Sequence, residues 1–353
     1  MMKRVSKGEK INLAIDAAKQ PVEILRRLAA DKDRFIRGIL AASAIDQDVL
    51  AALVEDSSPS VSSIAIRRID FDRLDVKRIE NDPSSENRSE LAMRPDVPID
   101  VLRRLIGHRS DRDRIVARRV CHKPDLPEEI DETLAANDDN RVRFELAFKL
   151  GLSAALVEKL SKDRSGFVRR GIALRGGAQS KISRKLIREL SADRDATVRQ
   201  AIITAHSLED IGIDALRRLA EDPDPETRNQ LAKKIRMIPT ADGLPELLAI
   251  MAEDEHPNVR AIVAKHPAAP IEKLVKLAAD AEVKIRSRVV EHPSLPGETI
   301  VSMTMDRSSQ IREAARRCLS DRSAHEKLAA LDAFLEAEPD AERAKKITKR
   351  IRF

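Results

Sequence analysis

The sequence contains no tryptophan and no tyrosine, and phenylalanine occurs only seven times in 353 residues. Glycine is scarce as well, at 11. β-Sandwiches and pocketed enzymes draw on aromatic side chains and glycine turns, so this composition argues against both. The two cysteines, Cys121 and Cys318, lie far apart and outside any Cys-x-x-Cys pair. That speaks against a disulfide framework and against a cysteine-based zinc or iron–sulfur site. No stretch approaches the ~18 consecutive apolar residues of a membrane helix. The opening segment MMKRVSKGEKINLAIDAAKQ is basic but lacks the continuous apolar region of a signal peptide. The expectation is a cytoplasmic protein with no metal, no cofactor and no membrane contact.

What the sequence has is a core and a charged surface. Apolar residues make up 42% and charged residues 35%, enough to bury an interior and stay dissolved. The 65 basic and 59 acidic residues leave a formal net charge of +6. That mild excess is compatible with a polyanionic partner without requiring one.

One pattern recurs along the chain: an apolar helix ending in Leu-x-x-Asp, then Val-Arg five and six residues later. With the acidic position as anchor, the units centre on Asp31, Asp56, Asp82, His108, Asn137, Asp163, Asp193, Asp222, Asp254, Asp280 and Asp306. Three residues before each anchor stands a large apolar residue, from Leu28 and Leu53 to Leu277 and Met303. Nine residues after it stands another, from Leu40 and Ala65 to Val289 and Ala315. Six after it stands arginine, at Arg37, Arg88, Arg114, Arg143, Arg169, Arg199, Arg228, Arg260, Arg286 and Arg312, with Ser62 the exception.

These columns predict two short helices per unit. The first carries its apolar stripe at −6 and −3, and the second buries +5, +9 and +10, both at a 3.6-residue period. The anchor region supplies turn and N-cap chemistry for the second helix. Pro95, Pro124, Pro267 and Pro293 end second helices, because proline lacks the N–H and disfavours helix in its predecessor. Pro98, Pro127, Pro270 and Pro296 then suit the first turn of the next helix. A pair of ~10-residue helices cannot bury its own core, so each unit must stack on its neighbours. Residues 1–20 read as an N-terminal cap helix, 21–322 as the repeat array, and 323–353 as a helical C-terminal cap with a basic tail. Longer spacings follow anchors 108, 163, 193 and 222, where a binding feature could be inserted.

Asp followed by Val-Arg resembles the HEAT-repeat signature. The segments RPDVP, KPDLP, HPAAP and HPSLP before Leu-x-x-Leu resemble the bacterial leucine-rich-repeat-variant unit. The resemblance covers about residues 21–322. It implies an all-α, right-handed α-α superhelical solenoid of about eleven short repeats. The variant prototype's cysteine-bound iron–sulfur segment has no counterpart in this sequence. The resemblance to HEAT units also implies an internal ladder of acid–guanidinium contacts linking adjacent repeats, through Asp31, Arg37, Asp82, Arg88, Asp163, Arg169, Asp193, Arg199, Asp222, Arg228, Asp254, Arg260, Asp280, Arg286, Asp306 and Arg312. A row of phosphate-binding arginines is the functional alternative for that column. In HEAT-like solenoids the second helix lines the concave side, which makes the basic column at +11 and +12 the candidate contact stripe: Arg67, Arg68, Arg94, Arg119, Lys149, Arg175, Lys233, Lys234, Lys265 and Arg317. Its plainer reading is helix capping, since cations in the last turn complement the dipole.

No catalytic motif is present: no Gly-x-Ser-x-Gly, no Walker A loop, no His-Glu-x-x-His. HEAT-like alkylpurine DNA glycosylases stack a flipped base on aromatics near an acid, a wall this sequence lacks without tryptophan or tyrosine. Phe144, Phe148 and Phe167 read as a core cluster. His266 and His292, in one column before proline, read as helix-end caps. The expected function is a non-enzymatic scaffold binding a protein or peptide on the concave surface. The alternative is a solenoid contacting nucleic-acid phosphates through a basic groove.

Overall fold

The computed structural model describes residues 5–107, 113–176, 182–338 and 340–350. The chain divides into two compact units, residues 1–172 and 173–353. Among the described residues every regular element is helical.

In the first unit, first and second helices alternate. The first helices are Val22–Ala29, Gln47–Val54, Val76–Glu80, Ile99–Gly107, Glu128–Ala135 and Ala154–Ser161. The second helices are Arg34–Ser43, Pro59–Arg68, Ser85–Met93, Asp113–Val120, Asn140–Ala147 and Gly166–Ala173, the last ending at the unit boundary. The second unit repeats the plan. Its first helices are Arg184–Leu190, Ile213–Ala220, Leu244–Met251, Ile271–Leu277 and Gly297–Met303. They alternate with Ala196–Ala205, Pro225–Ile235, Pro257–Val263, Val283–Val289 and Ser309–Ser320. Lys7–Ile15 precedes this succession and packs on Arg34–Ser43, while Ala324–Ala337 follows it and packs on Gly297–Met303. Each unit is thus a stack of helix pairs, an α-solenoid architecture.

The apolar columns explain the stacking. Every residue of the −3 column is buried, and every residue of the +9 column is at most 1% exposed. Full burial of a leucine side chain contributes ~1.5–3 kcal/mol, so a core built from one such pair per repeat holds only when neighbours close over it. The second helix starts two residues after the anchor, at N-caps such as Asp33, Ser58, Ser84, Asp139, Asp195 and Asp224. The Asp33, Asp139 and Asp195 side chains each accept an N–H of the first turn, which satisfies one of its orphan donors.

The proline pairs sit slightly differently from expectation. Pro127, Pro270 and Pro296 are themselves the N-caps, one residue before the first turn. Their extended ψ, near 140°, is what a cap needs, and a proline there sacrifices no hydrogen bond.

The longer spacings hold identifiable insertions. After Asp193 a single-turn helix, Leu208–Ile211, is added before Gly212, whose φ of 82° redirects the chain into the next first helix. After Asp222 a loop ends at Gly243, where φ is 73° and an added Cβ would collide with Ile213. The spacing after Asp163 includes residues outside the described set.

Candidate binding surface

The turn before each second helix organises the buried charges. The anchor carboxylate accepts the backbone N–H two residues on: 2.8 Å at Asp163, 2.9 Å at Asp222 and 2.8 Å at Asp254. The arginine six residues on donates through Nη1 to its own anchor's carbonyl. This bond measures 2.7 Å for Arg37 to Asp31, 2.8 Å for Arg169 to Asp163, 2.7 Å for Arg199 to Asp193 and 2.7 Å for Arg312 to Asp306. Arg88 donates likewise to Asp82.

Nε and Nη2 of the same arginines then grip the next repeat's anchor in a two-pronged fork. The pairs are Arg37–Asp56 (2.6 and 2.9 Å), Arg143–Asp163 (2.7 and 2.9 Å), Arg199–Asp222 (2.6 and 2.6 Å), Arg228–Asp254 (2.7 and 3.3 Å), Arg260–Asp280 (2.7 and 3.0 Å) and Arg286–Asp306 (2.7 and 3.0 Å). Each guanidinium therefore ties one turn to itself and to the turn below.

Where the pattern breaks, the structure substitutes. Asp31 has no preceding repeat, and Lys10 Nζ of the N-terminal helix binds it at 2.7 Å. Ser62 replaces the arginine that would reach Asp82. Its hydroxyl donates to Asn87 Oδ1 at 2.9 Å, and Asn87 Nδ2 donates to Asp82 Oδ2 at 3.0 Å. Anchor His108 lies outside the described residues.

The contacts shift the charges as expected for buried pairs. Hydrogen bonds to Asp222 and Asp254 hold Arg199 and Arg228 above the ordinary arginine range. Lys10 and the Asp33 N–H hold Asp31 below the usual carboxylate range. At Asp56, Asp163, Asp280 and Asp306 burial pushes upward, but the partner guanidinium and the turn N–H outweigh it, and all four end below that range.

The +11/+12 column separates into two populations. Most of the +12 members turn inward onto the preceding repeat. Arg68 Nη2 donates to the Ala44 carbonyl at 2.9 Å, and Arg94 Nη1 to those of Ile66 and Ile69 at 2.6 and 2.8 Å. Lys234 donates to the carbonyls of Ile203 and His206. Histidines do the same at this level: His206 Nε2 meets the Ala173 carbonyl at 2.9 Å, His266 that of Ile238 at 3.0 Å, and His292 that of His266 at 3.0 Å. His266 and His292 also accept a backbone N–H at Nδ1, from Ala268 and Ser294, which requires the proton on Nε2. These groups cap the helix of the neighbouring repeat rather than their own, meeting carbonyls that would otherwise be buried without a donor. Lys149 instead forms a buried pair with Asp131, at 2.6 Å. Arg175 is buried, and desolvation lowers its pKa.

The +11 members face solvent. Arg67 and Arg119 both approach Glu90, at 3.7 and 3.0 Å, and Lys233 lies 3.7 Å from Glu226. Lys265 and Arg317 are exposed.

The exposed face of the second helices also carries the aromatic cluster, and here the expectation of a core is corrected. Phe148 is 40% exposed and Phe167 39%. The rings of Phe144 and Phe167 stack with centroids 3.8 Å apart, and Phe148 meets Phe144 edge-on at 5.0 Å. The physical reason is helical phase: +4, +7 and +11 fall opposite the buried +5 and +9 positions. Gly171 allows the arrangement, since an added Cβ would stand 3.1 Å from the Phe144 ring.

Helix pairs joined by an acid–guanidinium ladder define a helical-repeat protein. Residues 183–266 match the family model for HEAT repeats. Among solved structures it is similar to a leucine-rich repeat variant with a novel repetitive structural motif, at 22% identity and a TM-score of 0.47, covering 75% of this chain and 88% of that one. It is similar also to YibA of E. coli, at 18% identity and a TM-score of 0.35, covering 76% and 97%. A third is importin beta, at 12% identity and a TM-score of 0.32, covering 90% and 54%. No curated protein matches the chain. No helix among the described residues is long and apolar enough to cross a membrane.

Proposed function

We propose that the chain is a non-enzymatic binding scaffold that takes a protein or peptide partner on the face formed by its second helices. The observation that carries this reading is a division of labour. Ladder arginines and +12 cations are engaged inside the array, whereas the outer positions of the second helices hold large side chains open to solvent, Phe148 and Phe167 among them. Repeated, rigidly capped helices supply a preorganised contact area, so little ordering entropy opposes binding. Affinity isolation of the tagged chain from its native cells at ~150 mM salt, with nuclease treatment, tests the reading. Recovery of a stoichiometric protein partner supports it; recovery of none refutes it.

The nucleic-acid reading draws on the net charge of +6 and on exposed Lys265 and Arg317. Against it stand Glu90 and Glu226, which occupy Arg67, Arg119 and Lys233 on the same face. Its mechanism would be phosphate contact without base readout. A mobility-shift series distinguishes it, since phosphate binding weakens steeply as salt rises.

A further inference from the structure

Three of the seven phenylalanines gather on one patch of the first unit, Phe148 and Phe167 exposed and Phe144 half-buried beneath them. On helix Asn140–Ala147, Arg141, Phe144, Glu145 and Phe148 follow at helical spacing along the outer face, Phe148 standing at the C-cap. On helix Gly166–Ala173, Phe167 and Arg170 do the same. Ile115, 47% exposed, occupies the equivalent level one repeat earlier, and Leu150, 59% exposed, follows Phe148 in the loop. A soluble surface seldom concentrates large apolar groups in this way without a contact to make.

The charges around the patch are not balanced. Arg141 and Arg170 are exposed, one turn from the stacked rings. The acid among them, Glu145, is already held by Arg118 at 3.1 Å and by His122 at 3.2 Å. The rings are therefore rimmed by net positive charge.

We propose that this patch docks a short acidic segment of a partner protein, an apolar anchor residue seated on Phe148 and Phe167 with flanking Asp or Glu side chains reaching Arg141 and Arg170. The proposal rests on the scaffold reading and names its site and ligand chemistry. Arginine offers a planar fork that matches a carboxylate, and aromatic groups dominate the centres of interfaces. A single-stranded nucleic acid fits less well. Phe144 and Phe167 spend a ring face on each other, so they offer no open slot for successive bases. A phosphate backbone tracking along the second helices would also meet Glu86 and Glu90 two repeats earlier.

Selection of a random twelve-residue peptide library on the full chain tests the proposal, followed by affinity measurements of the recovered peptides on variants. Phe148→Ser and Arg170→Glu change exposed residues, and thermal unfolding verifies that they fold. The expected result is enrichment of peptides with an aromatic or branched apolar residue flanked by acids. Each variant should weaken them about tenfold, the ~1.4 kcal/mol typical of a contributing contact. Arg141→Glu combined with Arg170→Glu should shift the selection toward basic peptides. Recovered peptides that bind both single variants as tightly as the original chain overturn the site while leaving the scaffold reading intact. Failure to enrich any peptide, with binding of a thirty-nucleotide single strand that collapses with salt, overturns both.

Discussion

Replacing Asp254 by alanine is the sharpest perturbation of the ladder. Its side chain is 2% exposed and that of Arg228 is 9% exposed. Arg228 donates Nη1 to the Asp222 carbonyl at 2.6 Å and its other prongs to Asp254. Asp254→Ala leaves the guanidinium buried with only the more exposed Glu255 as a nearby carboxylate, 2.9 Å away. Breaking one side of a buried pair costs ~3–5 kcal/mol. Glu255 compensates in part, so a loss of about 3 kcal/mol is expected, at the lower end of that range. Replacing both partners, Arg228→Met with Asp254→Leu, removes the stranded charge and frees chiefly one carbonyl, so the double variant should recover to within ~1–2 kcal/mol of the original. Urea unfolding measures the totals, and hydrogen exchange localises them. The lost protection should centre on helices Pro225–Ile235 and Pro257–Val263, because repeat arrays respond through nearest neighbours. A cost below ~1 kcal/mol, the ordinary worth of an exposed ion pair, would refute the reasoning.

The ladder also sets an acid limit. Its carboxylates at Asp31, Asp56, Asp163, Asp280 and Asp306 lie below their ordinary range in the folded chain. Their contribution is therefore complete above the unfolded value of ~3.9 and is lost as pH falls through the depressed folded values. The ladder's share of the fall in urea midpoint should come below about pH 4, so a midpoint that does not drop further between about pH 5 and 3 contradicts this source. Asn87→Ala interrupts the Ser62–Asn87–Asp82 chain and should cost ~1–3 kcal/mol, with Ser62→Arg in that background restoring much of it in the same assay. Lys234→Met strips the donor from the Ile203 and His206 carbonyls and should cost ~1–3 kcal/mol, read as faster hydrogen exchange at the end of helix Ala196–Ala205. Nitrogen-15 NMR should find His266 and His292 protonated on Nε2 alone; the opposite tautomer would contradict their capping role.

The repeat columns were readable because buried positions tolerate so few residue types. Leu53, Leu219 and Leu40 recur at fixed offsets as the helix pairs demand, and Arg228 recurs with Asp222. The cross-repeat caps were harder to see, because serine, arginine, lysine and histidine can all reach a carbonyl. Ser43, Arg94, Lys234 and His292 do not look like one column, though each donates to a carbonyl at the end of the corresponding helix one step earlier in the stack. Treating +11 and +12 as one stripe joined exposed Arg67 to buried Arg94. The aromatic cluster was misplaced for a different reason. Phenylalanine is usually interior, and residue type outweighed phase, although +4, +7 and +11 already pointed away from the buried +5 and +9. Ser62 carried no visible signal, since its substitute, Asn87, stands at a position where most other repeats hold valine or isoleucine.

The most direct measurement is an abundance scan of every single substitution in cells. Buried charges knitting the repeats together should make Arg228, Asp254, Arg286 and Asp306 intolerant, while Phe148, Phe167, Arg170, Lys265 and Arg317 accept polar replacements without loss of folded protein. If Phe148→Ser and Lys265→Glu deplete the protein as severely as Asp254→Ala, the outer face serves the fold, and its assignment to a partner is wrong.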